Sequence, residues 1–173
     1  MARYVELRRH PDDEDDALSA DGVRQALEIG SGLEGNYELL VSSGAQRATQ
    51  ALACFLAALG QKVPAGVVVE RGLRSETEDR WRAAYQEAGS ADLDALRSAD
   101  PELVEQDSAT LGSALRRVLD RLSDGTRALV VGHSPTNEAA VLGLTGDVVA
   151  PMSKGGGVLI VEENGELRVE PLR

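Results

Sequence analysis

The chain holds only two histidines, and each follows a run of β-favouring residues. His10 comes after Tyr4, Val5, Glu6, Leu7, Arg8 and Arg9, and is stopped by Pro11; His133 comes after Ala128, Leu129, Val130, Val131 and Gly132, and is followed by Ser134 and Pro135. An imidazole can attack phosphorus or hold it, and a guanidinium offers a planar fork of donors that fits phosphate oxygens. Arg9 stands directly before His10. Arg47 opens the segment after a third apolar run, Leu39, Leu40 and Val41, which continues into Ser42, Ser43 and Gly44. A lone histidine in a turn is also a common solvated or packed side chain. The chemical reading draws its strength from repetition, because several apolar runs end in a residue that suits a phosphate-like anion.

Those residues need strands to carry them and helices to return the chain. Leu18, Ser19, Ala20, Asp21 and Gly22 start a helix with Ser19 as its cap, followed at helical spacing by Val23, Ala26, Leu27 and Ile29 or Gly30. A second helix runs from about Ala45 to Leu59 with Ala48, Leu52, Phe55, Leu56 and Leu59 as its buried stripe, and Gly60 ends it. Arg47 falls in its first turn, where the helix dipole disfavours a cation, so it reads either as an anion ligand or as a surface arginine. Val67 to Val69 make another strand. Residues 71–101 form a polar excursion, with one helix from Glu76 to Glu87 carrying Trp81 and Tyr85 and a short one from Asp92 to Arg97. Ser108 then caps a helix with Leu111, Leu115, Val118, Leu119 and Leu122 on its apolar face. Gly155, Gly156 and Gly157 lead into a terminal hairpin turned at Glu163, Asn164 and Gly165; no helix follows them, as a phosphate loop would require. Strands alternating with helices imply a three-layer α/β/α sandwich on a largely parallel sheet.

Composition narrows the partners. At 173 residues and 42% hydrophobic content, the chain reads as a single domain over 1–173. A net charge of −11 argues against nucleic acid, whose binding needs clustered Lys and Arg, but leaves room for a phosphorylated small molecule or phosphoprotein held by a few converging arginines. No segment approaches the roughly 20 apolar residues that span a bilayer, so no membrane partner is expected. The single Cys54 excludes an internal disulfide and fits a reducing, cytoplasmic compartment. The run Asp12, Asp13, Glu14, Asp15 and Asp16 reads as a solvated loop or a charge filter at a pocket mouth. It lacks the ligand spacing of a calcium loop, and no cofactor or metal is expected.

In this order the motifs resemble the histidine phosphatase superfamily, the phosphoglycerate-mutase-like fold. Its opening R-H-G is matched by Arg9, His10 and Pro11, and its L-T/S-x-x-G-x-x-Q-A by Leu18, Ser19, Gly22, Gln25 and Ala26. Its S-S-P-x-x-R-A-x-Q-T-A is matched by Ser42, Ser43, Gly44, Arg47, Ala48, Gln50 and Ala51, and its late G-H by Gly132 and His133. Small size and the Gly132 to Pro135 turn look most similar to the short phosphohistidine phosphatase (SixA-like) branch. The resemblance implies a hydrolase of phosphomonoesters or phosphohistidine in which His10 attacks phosphorus, while Arg9, Arg47 and His133 hold the equatorial oxygens and Ser134 adds a substrate contact. Pro11 and Gly44 depart from the pattern. Keeping Trp81 in register puts Ser75 where other branches carry a glutamic acid, leaving Glu76 as the candidate acid, Glu78 as its neighbour, or no acid at all, which a good leaving group tolerates. Pro11 and the missing acid also motivate the alternative of a phosphate-binding protein without turnover.

Overall fold

The computed structural model describes residues 1–172. Its main sheet has six strands, in spatial order β5 (Val67–Val69), β4 (Tyr37–Ser42), β6 (Arg127–Gly132), β1 (Ala2–Arg9), β7 (Gly157–Glu163) and β8 (Glu166–Pro171). The first four run parallel, and the terminal hairpin β7-β8 is added antiparallel along β1. Helices cover both faces, so the expected three-layer sandwich is the fold. Side chains alternate across the strands and divide the core in two. Leu40, Leu129 and Val131 pack with Ala48, Leu52 and Phe55 under α1 (Ala20–Gly32) and α2 (Gln46–Leu59). Val5, Leu7, Val41 and Val130 pack on the other face under α3 (Glu78–Ala88), α4 (Leu93–Ala99), α5 (Pro101–Asp120) and α6 (Thr136–Thr145). Among the described residues no helix is long and apolar enough to cross a membrane.

Two expectations about the helices are corrected. Helix α5 starts well before Ser108: Pro101 occupies its first turn, the Asp100 carboxylate caps it by accepting from the Leu103 amide at 3.1 Å, and Ser108 is buried in mid-helix. The pattern hides this start because the segment before Ser108 is mostly polar. In α1 the buried face is Gly22, Ala26 and Gly30, whereas Val23 and Leu27 are exposed. Glycine permits close approach here. A Cβ on Gly30 would lie 2.9 Å from the Phe55 Cα, and one on Gly22 would lie 1.9 Å from the Asp12 carbonyl oxygen. Ser19 caps α1 as expected, accepting from the Gly22 amide at 3.0 Å.

Strands β1, β4 and β6 are adjacent and parallel, so their C-terminal ends share one edge of the sheet. His10, Ser43 and His133 are the next residues after these three strands. That edge is where open α/β sheets hold ligands.

Candidate active site

Backbone contacts fix the tip of β1 before any side chain contributes. The Arg9 amide donates to the Gly156 carbonyl at 2.8 Å, the Gly155 amide donates to the Arg9 carbonyl at 3.0 Å, and the His10 amide donates to the Gly132 carbonyl at 3.2 Å. The glycine run therefore serves as a close-packed brace: a Cβ on Gly157 would lie 1.9 Å from the Leu7 carbonyl oxygen. Asn137 ties the two histidine-bearing strands together, its Nδ2 donating to the Arg8 carbonyl at 3.0 Å while its side chain fills the space beside Gly132. The motif glutamines have similar duties, since Gln25 Oε1 accepts from the Asp12 amide at 3.2 Å and Gln50 Oε1 from the Leu18 amide at 2.8 Å.

The two imidazoles meet, with ring centroids 5.4 Å apart. His10 Nδ1 lies 2.8 Å from the Pro11 carbonyl oxygen, which can only accept, so Nδ1 carries the hydrogen and Nε2 keeps its lone pair. Arg47 Nε donates to that Nε2 at 3.3 Å, and Arg47 Nη2 donates to His133 Nδ1 at 3.2 Å. With Nδ1 accepting, His133 bears its hydrogen on Nε2 and donates it to Ser43 Oγ at 2.7 Å. Burial pushes both imidazoles below their ordinary range. For His133 desolvation is reinforced by Arg47 and brings the pKa down to about 3. For His10 desolvation wins over the opposing pull of the Pro11 carbonyl and Asp13. Both rings are therefore neutral at pH 7.

Arg9 is partly buried at the same edge; its Nη1 donates to the Met152 carbonyl at 3.1 Å, and its Nε is enclosed without a hydrogen-bond partner. Ser134 Oγ donates to Glu138 Oε2. A cavity of about 310 Å³ opens beside them, lined by Arg47, His133, Ser134, Ser75, Glu78 and Trp81 together with flanking residues of α3 and α6. Arg9 and His10 are not part of this wall. His10 reaches it through Arg47, whose Nε bonds its Nε2.

The structure places the candidate acid Glu76 away from this cavity. In the bend before α3, where Ser75 Oγ accepts from the Thr77 amide at 3.0 Å, Ser75 is buried and Glu76 is exposed, so Glu76 stays off the cavity wall. Glu78 does reach the wall and accepts from Arg74 Nε at 2.8 Å. Ser75 Oγ and Trp81 Nε1 both donate to Asp107 Oδ2, at 2.6 and 2.5 Å, so a carboxylate from α5 organises this side of the cavity. Trp81 is almost fully buried and also lends its edge to the wall.

The acidic run is more ordered than a solvated loop. It folds as a two-stranded ribbon, β2 (Asp13–Glu14) and β3 (Ala17–Leu18), with Asp15 in the left-handed region at φ 55°. Asp12 and Asp13 pair with Lys154 at 2.8 and 3.3 Å, and Asp16 pairs with Arg47 Nη1 at 2.9 Å. The run thus borders the site and holds one of its guanidiniums. Among the described residues no group of three or more His, Cys, Asp or Glu side chains gathers as a metal site would require. The sequence pattern did not reveal Asp107 or Glu138. For Glu138 a signal existed, namely its spacing four residues after Ser134 at the start of an apolar helix.

Comparison with known proteins gives one family. The model described as histidine phosphatase superfamily (branch 1) matches residues 4–153. No curated protein matches in a sequence search. Among solved structures, a phosphoglycerate mutase from Bacillus anthracis str. Sterne superposes with a TM-score of 0.76 at 20% identity, covering 99% of this chain and 92% of that one. Phosphoserine phosphatase from Entamoeba histolytica, in complex with 3-phosphoglyceric acid, gives 0.72 at 15% identity with 99% and 98% covered. A putative phosphohistidine phosphatase SixA from Agrobacterium tumefaciens gives 0.54 at 18% identity with 96% and 94% covered.

Proposed function

The chain belongs to the histidine phosphatase superfamily, and from that premise we propose that it hydrolyses phosphomonoesters or phosphohistidine through a phosphohistidine intermediate on His10, without metal or cofactor. The observation that carries this reading is the 2.8 Å contact of His10 Nδ1 with the Pro11 carbonyl oxygen. The Pro11 carbonyl holds the hydrogen on Nδ1, so the lone pair of Nε2 faces Arg47 and the second imidazole. The departure at Pro11 therefore costs an N–H but keeps the acceptor that orients the nucleophile.

In this account a phosphoryl group displaces the imidazole nitrogens as the partners of Arg47. Nε2 of His10 attacks in line, its bond to phosphorus forming as the bond to the leaving group breaks, and water later reverses the geometry to release phosphate. Arg9 and Arg47 hold the equatorial oxygens, where charge is stabilised through the transition state. A dianion beside His133 favours its protonated form, which then donates from Nδ1 as well as from Nε2. Ser134 contributes a hydroxyl from the cavity wall.

The test is a panel of phosphorylated metabolites, an aryl phosphate and phosphohistidine-bearing proteins, assayed in chelator with wild-type protein and His10→Ala. Turnover that vanishes in the variant supports the reading. Turnover that survives it, or tight phosphate binding with no turnover of any member, would sink it and favour a binding protein on the same fold.

A further inference from the structure

Glu138 is the buried carboxyl at this edge of the sheet for which the mechanism above has no use. It lies in the first turn of α6 and is 1% exposed. Its Oε2 receives the Ser134 hydroxyl, while its Oε1 is enclosed with no partner at all. An ionised carboxylate left in that state is strongly disfavoured, and a neutral carboxylic acid much less so. Ser134 in turn stands on the wall of the 310 Å³ cavity, beside His133 and Arg47. A carboxyl shielded from water thus touches the reaction space through one hydroxyl only.

We infer that Glu138 and Ser134 form a proton relay to the leaving group, supplying the acid that neither Ser75 nor Glu76 can provide and that Glu78, held as the partner of Arg74, does not offer. The inference rests on the phosphatase reading. With substrate bound, the Ser134 hydroxyl turns from Glu138 to the leaving-group oxygen, and the neutral carboxyl donates from Oε2 to Ser134 Oγ. As His10 Nε2 bonds to phosphorus and the phosphorus–oxygen bond breaks, the Ser134 proton moves to the departing oxygen, which keeps the bonding electron pair. The carboxyl proton of Glu138 moves to Ser134 Oγ, leaving Glu138 as a carboxylate. In the second half, the attacking water gives its proton to Ser134 Oγ, whose own proton returns to Glu138, while the bond from Nε2 to phosphorus breaks. The protons balance over one turnover. Ser134 is the group that touches substrate, and Glu138 acts through it.

The charged surroundings allow this. Arg9, from the tip of β1, is the charge that acts on Glu138 and favours its ionised form; the residues that α5 buries are uncharged, and the 3-10 turn Arg71–Leu73 buries only Leu73. Burial outweighs Arg9 and the Ser134 hydrogen bond, lifting the carboxyl to about 7, where it can both give and regain a proton near neutrality.

The experiment compares two leaving groups under the same conditions, an alkoxide from glycerol 2-phosphate and a nitrophenolate from nitrophenyl phosphate. Glu138→Gln should lose about 100-fold in kcat on the alkyl ester and only a few-fold on the aryl ester, with KM little moved. Ser134→Ala should show the same asymmetry, and it carries the test if the glutamine variant fails to fold. The wild-type rate on the alkyl ester should fall above about pH 7, where Glu138 loses its proton, and that limb should be missing in Glu138→Gln. Equal losses on both esters overturn the relay, as does a wild-type protein that turns over the aryl ester by way of His10 and no alkyl ester. Failure of the phosphatase reading itself looks different, because aryl turnover would then not depend on His10, and the relay would fall with it.

Discussion

The two ends of the central sheet treat buried charge in opposite ways. Toward the starting end, Glu6 on β1 is 2% exposed and fully engaged: Arg8 Nε donates to it at 2.6 Å, Tyr37 Oη at 2.8 Å and Arg127 Nη1 at 3.1 Å. The Arg127 guanidinium also sits over the Tyr4 and Tyr37 rings, at 5.4 and 5.8 Å from their centroids. At the finishing end, Arg9 Nε and Glu138 Oε1 are buried without partners, and Arg47 spends two donors on imidazole lone pairs. Both ends use arginine, glutamate and aromatic or imidazole rings, so residue type alone does not separate them. Saturation does. A closed network stabilises the fold, and an under-satisfied one is arranged for a guest that brings its own acceptors and charge.

The contrast can be broken most severely at Arg47. Arg47→Ala should lower kcat/KM on an aryl phosphate by roughly 10³-fold, through loss of donors to the equatorial oxygens; a loss under tenfold would place Arg47 with the structural arginines. Glu6→Gln should do the reverse, removing about 3–5 kcal/mol of stability by leaving Arg8 and Arg127 short of a counter-charge, with turnover at permissive temperature near the wild-type rate. Denaturant melts and steady-state rates on the same preparation decide between them.

Glu138 sharpens the comparison through pH. Its carboxyl is raised from an ordinary 4.5 to about 7 in the fold, so its contribution to stability is fully present below 4.5 and is lost as pH rises through 7. Glu138→Gln has no such titration. Its stability relative to wild type should improve between pH 4.5 and 8 by up to roughly 3 kcal/mol, and a pH-independent difference between the two proteins would contradict the assignment. The smallest effect concerns His10. Because burial lowers its pKa from 6.5, the acid limb of kcat/KM should have its midpoint below 6.5. Arg47→Ala, which removes one of the charges that depress it, should move that midpoint upward in a pH–rate profile.

Much of this site was legible in the sequence because it is built from short local signals. Each apolar run with its terminal histidine or serine is a strand and its tip, and parallel strands bring such tips to one edge, so His10, Arg47 and His133 converge as the pattern implies. The position of Glu76 also has a local cause: in the bend before α3, Ser75 is the buried residue and Glu76 the exposed one. The start of α5 was missed because Asp100 and Pro101 form a capping signal inside a polar stretch. Asp107 and Glu138 belong to another category. Asp107 is distinguished by the donors that reach it across the fold, Ser75 and Trp81, and such pairings follow from helix packing rather than spacing; Glu138 is reached by Ser134 at local spacing, and what sets it apart is its burial with one oxygen unpartnered.

The central claim is that His10 Nε2 becomes covalently bonded to phosphorus during turnover. Mixing enzyme with an aryl phosphate, quenching in alkali within milliseconds and sequencing the digest by mass spectrometry addresses it directly. The account predicts one alkali-stable, acid-labile phosphoryl group on His10, formed and consumed at rates that match turnover. Turnover with no phosphorylated protein at any time, or with the phosphoryl group on another residue, would contradict it.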